Sequence, residues 1–413
     1  MTNVSSSPPS ANAPASGLAF SLVALLGILT AFGPMAIDMY LPSLPAMSAD
    51  LGSNMADAQL TVASFLAGLA AGQLIYGPLS DRMGRRPPLM VGVILYTIAS
   101  VGCVFATSMD SLIVLRFVQA VGGAAAPLIA RAVISDRCSG IEAARAFSLL
   151  MLVMGASPIL APTLGGLILM VGGWRTIFWV LTAFGLVALV WAFIALPETF
   201  PAEKRNSRPK ESMLKAFGQV LSNREILRFA MLASLGSACL FTYISNAANV
   251  MIGTYGIDPT FFGYVFGLNA CAIVGSAQIN RMLLNRHTPL KIVQAANMAL
   301  LVLAALMLIG AVTDYAGKFG VLVPMFFIMA CIGLTNSNAT AMAMDVDRGR
   351  AGTVSSFVGF MHFAMGALFA SVTGALADGT ARPMAGAILL AAILGAVTLR
   401  LIHRARRLKA ATV

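Results

Sequence analysis

The chain has 413 residues, of which 10% are charged and 58% hydrophobic, and its formal net charge at pH 7 is +11. A soluble domain carries about a quarter charged residues, so this composition excludes a water-soluble globular protein. The Lys and Arg residues are divided among short loops and form no single stripe with aromatic residues, which argues against a nucleic-acid partner.

Apolar runs of about 20 residues recur along the chain, each long enough to cross a hydrocarbon core of about 30 Å as a helix. These runs are continuous, whereas the strands of a membrane barrel would alternate. The predicted fold class is all-α integral membrane, with two six-helix bundles and twelve transmembrane helices. The predicted spans are residues 18–43, 56–78, 87–107, 110–133, 143–170, 174–195, 226–251, 259–282, 289–313, 319–342, 350–377 and 381–403.

The segments between and around these bundles are hydrophilic. Residues 1–17 hold no charge and lack the basic region of a cleaved signal peptide, so we interpret them as a disordered cytoplasmic tail. A mixed-charge linker, residues 196–225, separates the bundle 18–195 from the bundle 226–403, and 404–413 form a basic tail. Within the linker we predict an interfacial helix at Met213–Leu221.

Positive charge predicts the orientation of the chain. With a cytoplasmic amino terminus, Arg175, Lys318 and Arg382 lie outside, Arg116 lies within the membrane, and the rest of the 27 Lys and Arg are cytoplasmic. The opposite orientation would place nearly all of this charge outside, which membrane insertion disfavours. Both termini are therefore predicted to be cytoplasmic.

We expect reporter fusions at Lys210 and Asp314 to show opposite sidedness, because the predicted spans place an odd number of crossings between them. The measurement is the activity of a reporter that works on one side of the membrane only. Matching sidedness at the two positions would contradict the segmentation.

Motifs of enzymes and metal sites are missing from the sequence. The five cysteines, at positions 103, 138, 239, 271 and 331, have neither metal-ligand spacing nor the pattern of a disulfide framework. There is no HExxH motif, no GxSxG elbow and no pair of intramembrane carboxylates. We therefore predict no catalytic residues, no metal and no cofactor.

One acidic residue stands apart from the other charges. Of the 16 acidic residues, Asp38 alone falls well inside a predicted span, about 30 Å along the first helix, while the others lie in loops or at the edges of spans. Arg116, six residues below Asp110 in the fourth span, lies at a comparable depth. Buried charges at this depth are costly unless they face a partner or a watery cavity, so the two are candidates for a proton-coupling unit. The alternative is that Asp38 caps the helix end beside Pro42.

Two loops at corresponding positions indicate an internal duplication. The loop after the second span reads GPLSDRMGRRP, and the loop after the eighth reads SAQINRMLLNRHTP. Repeats of this kind are typical of transporters in which one half rocks against the other. The first loop resembles the signature loop of the major facilitator superfamily, and its conformational residues would be Gly77, Asp81, Arg82, Gly84, Arg85 and Arg86. The resemblance implies that Asp81 engages the helix beginning near Gly352.

The fourth and fifth spans carry two further resemblances. The stretch LRFVQAVGG resembles the superfamily motif of an intramembrane Arg followed by Gln and a glycine pair. The stretch GASPILAPTLGG resembles the motif of antiporter members, and its prolines and glycines predict a bent helix that a neighbour can approach closely. The motif residues are Arg116, Gln119, Gly122 and Gly123 in the fourth span, and Pro158, Pro162, Gly165 and Gly166 in the fifth.

The end of the first span, AFGPMAIDMYLPSLPAMSADLG, and the sequence LPET after the sixth resemble the bicyclomycin-resistance (Bcr/CflA) group of drug:proton antiporters. The second half resembles that group less, and His362 stands where the resemblance would lead us to expect Gln. A lone His in a membrane helix can hydrogen-bond a neighbouring helix or carry a proton.

An apolar cavity with one or two ionisable groups suits lipophilic, weakly polar or cationic compounds. Ala31 and Met35 share the Asp38 face of the first helix. Neutral polar residues of other spans would supply the remaining walls, although such residues often join one helix to another. The candidates are Met35, Gln119, Tyr243, Asn246, Asn249, Asn269, Asn336, Asn338 and His362.

The sequence therefore predicts a secondary active transporter of the bacterial inner membrane that exports small lipophilic or cationic compounds by proton-coupled antiport. Its expected partners are a small-molecule substrate, protons and the lipid bilayer, and we expect a monomer. One alternative is an exporter of a native metabolite such as an amino acid derivative. Another is a non-transporting receptor or scaffold, which would usually carry a sizeable soluble domain.

Overall fold

A computed structural model of the chain describes residues 20–138, 140–201, 203, 213–347 and 350–411. The predicted tail at residues 1–17 and the reporter position Lys210 lie outside the described residues.

The described part of the first half is helical. Its first span is Phe20–Asp38, followed by a 3₁₀ turn, Leu41–Ser43, and a short helix, Leu44–Asp50. The second and third spans are Met55–Met83 and Arg86–Val104. The fourth span consists of Met109–Gly123 and Ala125–Arg137, which meet at Ala124.

The fifth and sixth spans follow each other directly, without an intervening loop, in the helical segment Gly140–Ala195. A straight helix of 56 residues would be about 84 Å long, more than twice the thickness of the hydrocarbon core. The run is divided at Gly173, whose φ of 71° is accessible to glycine at little cost. The chain reverses there, and the run crosses the membrane twice.

The second half repeats this organisation. The helices are the linker helix Met213–Ser222, then Arg224–Ala248 with a π-helical continuation Asn249–Thr254, Pro259–Leu284, Pro289–Thr313, Phe319–Val346, Ala351–Ala375 and Arg382–Ala411. Eleven helical segments of the described chain are long and apolar enough to cross a membrane, and one of them, residues 152–195, contains both the fifth and the sixth span. The predicted all-α fold with twelve spans is confirmed.

Several helices begin just after a residue whose side chain accepts a hydrogen bond from a backbone N–H group of the first turn. Asn54 Oδ1 accepts from the Asp57 N–H at the start of the second span, and Asn223 Oδ1 accepts from two N–H groups at the start of the seventh. Ser108 and Ser111 form a reciprocal capping box at the start of the fourth. Such caps satisfy donors that have no partner within the helix, which fixes where each span begins.

Exposed apolar side chains recur every three or four residues on the spans at the periphery. The third span exposes Val91, Ile94 and Ile98, and the ninth exposes Met298, Val302, Leu306 and Ile309. A stripe of this kind on a membrane helix faces lipid, because no hydrophobic force favours its burial against protein.

The two halves meet along two helix pairs, the second with the eleventh span and the fifth with the eighth. We name the side of the bundle that carries residues 196–225 the linker face, and the other side the opposite face. At the linker face Gly77 lies beside Ser356, and near the opposite face Gln59 lies beside Gly374. The turn Leu41–Ser43 also contacts the seventh span, so the halves are in contact at the opposite face.

Candidate functional site

Asp38 is the last residue of the first helix and lies near the opposite face, between the two halves. Its side chain is 4% exposed, and none of the described residues donates a hydrogen bond to its Oδ1 atom. Tyr243 of the seventh span lies within electrostatic range of the carboxylate. The predicted proton carrier is therefore a buried carboxyl group that faces the other half of the protein.

Arg116 is fully buried within the first half. Its Nη2 atom donates a hydrogen bond of 2.8 Å to the Ala36 carbonyl of the first span, and Nη1 donates to Gln119 Oε1. The guanidinium carbon lies 4.3 Å from the centre of the Tyr40 ring and 4.1 Å from that of Phe65. Cation–π contacts and a carbonyl acceptor therefore compensate the cost of burying this charge.

Asp38 and Arg116 do not form a salt bridge in this structure, although their comparable depth allowed a direct contact. Arg116 instead engages the chain on either side of Asp38. Ala36, two residues before Asp38, accepts through its backbone carbonyl, and Tyr40, two residues after it and beyond the end of the helix, contributes its ring. The guanidinium is therefore held by the neighbours of Asp38 and not by its carboxylate.

A polar chain extends from Arg116 to the third span. Gln119 Nε2 donates to Ser100 Oγ at 2.7 Å, and the Ser100 hydroxyl donates to the Tyr96 carbonyl. Tyr40 is held from the other side by a 3.0 Å hydrogen bond between its hydroxyl and that of Thr61. These bonds position the end of the first helix, and with it Asp38, against three other spans.

The glycines of the fifth span allow a close approach to the same region. A Cβ atom at Gly165 would overlap the carbonyl group of Met39, the residue that follows Asp38. The fifth span therefore packs backbone against backbone at the end of the first helix, as the small residues of its motif predicted.

We expect Gly165→Ala to destabilise the protein by about 1–3 kcal/mol and to impair its activity, because a backbone carbonyl cannot rotate away like a side chain. The matched control is Gly33→Ala in the first span, where an added Cβ would meet no atom within 4 Å. Thermal unfolding of both purified variants is the measurement. Equal unfolding temperatures for the two variants would contradict the close approach.

Several predicted cavity residues are engaged between helices. Asn246 donates to Thr373 Oγ1 of the eleventh span at 3.0 Å, and Asn269 donates to the Tyr243 hydroxyl at 2.9 Å. Asn336 donates to Ser237 Oγ at 3.2 Å, and Asn338 to Asn280 Oδ1 at 2.6 Å. With Gln119 also occupied, these five side chains hold helices together in this conformation.

The other candidates are less constrained. Met35 is half-buried and packs against the core, and Asn249 lies at the start of the π-helical segment. His362 is half-buried in the eleventh span, and none of the described residues hydrogen-bonds to its Nε2 atom. Met35 and His362 are thus partly exposed, whereas the Asn249 side chain is buried in this conformation.

Gln59 was missed by the sequence analysis. It is fully buried in the second span, and neither atom of its amide group has a hydrogen-bond partner among the described residues. Its side chain lies beside Gly374 of the eleventh span, where the two halves meet. A polar residue in an apolar span was the available signal, since an unpaired amide in such a place is costly.

The signature loop forms a charged cluster at the linker face. Arg85 bonds to Asp81 at 2.7 Å and to Asp136, at the end of the fourth span, at 2.8 Å. The Glu198 carboxylate accepts from the backbone N–H groups of Arg85 and Arg86. Glu198 belongs to the LPET sequence, so this motif caps the start of the third span and binds the end of the sixth to the loop.

The chain matches the family model described as Major Facilitator Superfamily over residues 23–371. It is 33% identical over 383 residues to the "Uncharacterized MFS-type transporter YdgK" of Bacillus subtilis, covering 91% of this chain and 94% of the relative. It is 30% identical over 365 residues to the "Bicyclomycin resistance protein homolog" of Haemophilus influenzae, covering 88% and 92%. It is 31% identical over 238 residues to the "Multidrug resistance protein MdtL" of Escherichia coli, covering 57% and 60%.

Solved structures share the fold. A bacterial homolog of the human lysosomal transporter Spinster, in an inward-facing and occupied conformation, superposes with a TM-score of 0.72 at 16% identity, covering 94% of this chain and 96% of that chain. The nucleoside transporter NupG superposes with a TM-score of 0.73 at 14% identity, covering 93% and 99%. At these identities the likeness concerns the fold alone.

Proposed function

The chain belongs to the major facilitator superfamily, and from that premise we propose that it is a proton-coupled antiporter that exports small lipophilic or cationic compounds. The relatives named for bicyclomycin and multidrug resistance support drug efflux as the direction and purpose of transport. We also propose that it resides in the inner membrane of a bacterium with the linker face towards the cytoplasm, which the distribution of positive charge supports.

The observation that carries this proposal is that Asp38 is buried and that none of the described residues donates a hydrogen bond to its Oδ1 atom. An ionised carboxylate that is buried without a partner costs several kcal/mol, and Asp38 Oδ1 has none among the described residues, so in the proposed mechanism Asp38 is protonated in this conformation. When the halves rock apart, water or substrate reaches the carboxyl group and the proton can leave. Asp38 accordingly takes a proton from outside and releases it inside, which permits the substrate to load.

Arg116 acts on this carboxyl group as a positioning residue. Its bond to the Ala36 carbonyl and its contact with the Tyr40 ring hold the helix on both sides of Asp38. Because the guanidinium is fixed by its own half, movement of the other half changes the surroundings of Asp38 more than those of Arg116. The pair thus forms the proposed coupling unit without direct contact.

The substrate would bind between the halves, where the first and seventh spans face each other. Tyr243 stacks on Phe266 with ring centres 5.3 Å apart, and Phe241 lies 5.7 Å from Phe363, so this part of the second half is rich in aromatic side chains. Such a surface suits lipophilic compounds better than sugars or phosphates, which need many converging donors.

A growth-inhibition panel in an efflux-deficient bacterial host tests the proposed function. Bicyclomycin and lipophilic cations are the first compounds to include, given the names of the relatives. We expect expression of the chain to raise the inhibitory concentration of some of these compounds, and the variant Asp38→Asn to lose that effect. Protection that is unchanged in the variant would contradict the assigned role of Asp38.

We expect Asp81→Asn to change the balance between conformations while leaving substrate affinity unchanged. Asp81 lies at the linker face, far from Asp38, and the second span there runs beside the start of the eleventh, with Gly77 next to Ser356. The buried Arg85 keeps its second ion pair, with Asp136, when Asp81 is replaced, so the variant should remain folded. Distances between spin labels on the two halves measure the populations. Weaker substrate binding with unchanged distances would contradict this role.

A further inference from the structure

A cavity of about 600 Å³ lies on the linker face, away from the proposed transport site. It is an open cleft bordered by the linker helix Met213–Ser222, the start of the seventh span and the end of the twelfth. Its volume falls within the range of about 300–1,000 Å³ that is typical of small-ligand sites. Nothing in the transport mechanism uses this cavity.

Two arginines line the cavity one helical turn apart. Arg224 and Arg228 project from the same face of the seventh span, since residues four apart are neighbours on a helix. No hydrogen bond or ion pair joins either guanidinium to another of the described residues, and Glu225, which also lines the cavity, forms a salt bridge with neither. Guanidinium groups of two such neighbouring residues can donate hydrogen bonds to the oxygen atoms of one phosphate.

The cavity lies at the level of the membrane surface. The helix of the seventh span begins at Arg224, and Ala405, which also lines the cavity, lies near the end of the helix Arg382–Ala411, where its sequence becomes basic. Ile402, another lining residue, is buried in an apolar cluster with Val220 of the linker helix and Phe229. The cavity therefore has cationic groups at the height of lipid headgroups and an apolar base on the membrane side.

We propose that this cavity binds the phosphate-containing headgroup of an anionic phospholipid. The arginines hold the phosphate, and the apolar base accommodates the adjoining glycerol and the start of the acyl chains. A free phosphate ion would use the arginines but would gain nothing from the apolar base. A bound lipid would tie the linker helix to the seventh and twelfth spans, both of which belong to the second half.

Native mass spectrometry of the purified full-length protein in a neutral detergent tests this site. The probes are phosphatidylglycerol and phosphatidylcholine with the same acyl chains, which share a phosphate and differ in net charge. We expect wild type to prefer phosphatidylglycerol. The double variant Arg224→Gln/Arg228→Gln should weaken phosphatidylglycerol binding about thirtyfold, and each single variant about fivefold, with little change for phosphatidylcholine.

The matched control is Arg281→Gln/Arg286→Gln, which removes two exposed arginines from the same face of the protein. It should leave the preference for phosphatidylglycerol intact. An equal loss in the control would overturn the proposal, since general charge would then explain the binding. Unchanged binding in both single variants would also overturn the proposal. The single variants therefore test the site even if the double variant does not fold. Displacement of the lipid by an equal concentration of soluble glycerol phosphate would assign the cavity to a free phosphoanion instead.

Discussion

Replacing Asp38 by Asn should abolish proton-driven export while leaving the protein folded. Asn has nearly the same volume and cannot exchange a proton, so substrate could still bind but could no longer be driven against a gradient. In the proposed mechanism this one carboxyl group would carry one proton per cycle. At a membrane potential of 100 mV, one charge provides about 2.3 kcal/mol, enough for a roughly fiftyfold gradient of a neutral compound. In the variant this gradient should fall to about one.

The decisive measurement is the release of protons when substrate is added to the purified protein in detergent. Wild type should release protons on binding, and Asp38→Asn should not. The matched control is Asp110→Asn. Asp110 carries an exposed carboxyl group at the start of the fourth span, which lies at the opposite face. The control should release protons as wild type does.

Continued proton release and continued export by Asp38→Asn would show that another group carries the proton. His362 would then be the first residue to test, because it is half-buried in the eleventh span and its Nε2 atom has no hydrogen-bond partner among the described residues. The double variant with His362→Gln would decide between the two groups.

Replacing Arg116 by Ala should destabilise the first half and stop transport. The change leaves the Ala36 carbonyl and the Gln119 amide oxygen without their donor, and it leaves a space between the rings of Tyr40, Phe65 and Phe178. Unsatisfied buried acceptors cost about 1–3 kcal/mol each, and the lost packing adds to this. We expect a total loss of about 3–5 kcal/mol.

Thermal unfolding in detergent measures this effect, with Arg175→Ala as the control. Arg175 pairs with Asp50 at the opposite face, and both side chains are well exposed, so its loss should leave the unfolding temperature close to that of wild type. Arg116→Lys should restore only part of the stability, because an ammonium group lacks the planar fork that reaches both acceptors.

A different outcome would assign Arg116 a different role. If Arg116→Ala unfolded like wild type but no longer released protons on substrate binding, the arginine would act on Asp38 through its charge. The positioning role argued from the bond to Ala36 would then be wrong.

The sequence by itself determined the class of fold, the number of spans and their approximate limits. A helix must satisfy its backbone hydrogen bonds internally in lipid, so the length and hydropathy of each apolar run suffice to identify it. The same argument singled out Asp38 and Arg116, because a charge within an apolar run is costly wherever the helix packs. The linker helix was also predictable, and it is observed at Met213–Ser222.

Only the tertiary structure decided which groups these residues contact. Depth along the membrane follows from counting residues, but the direction of a side chain depends on how each helix is rotated against its neighbours. The packing of the helices places Arg116 among aromatic rings and on the Ala36 carbonyl, and it buries Asp38. It likewise joins Asn246 to Thr373 by a hydrogen bond and brings Glu198 to the start of the third span. These contacts join residues up to 127 positions apart, and no local pattern in the chain records them.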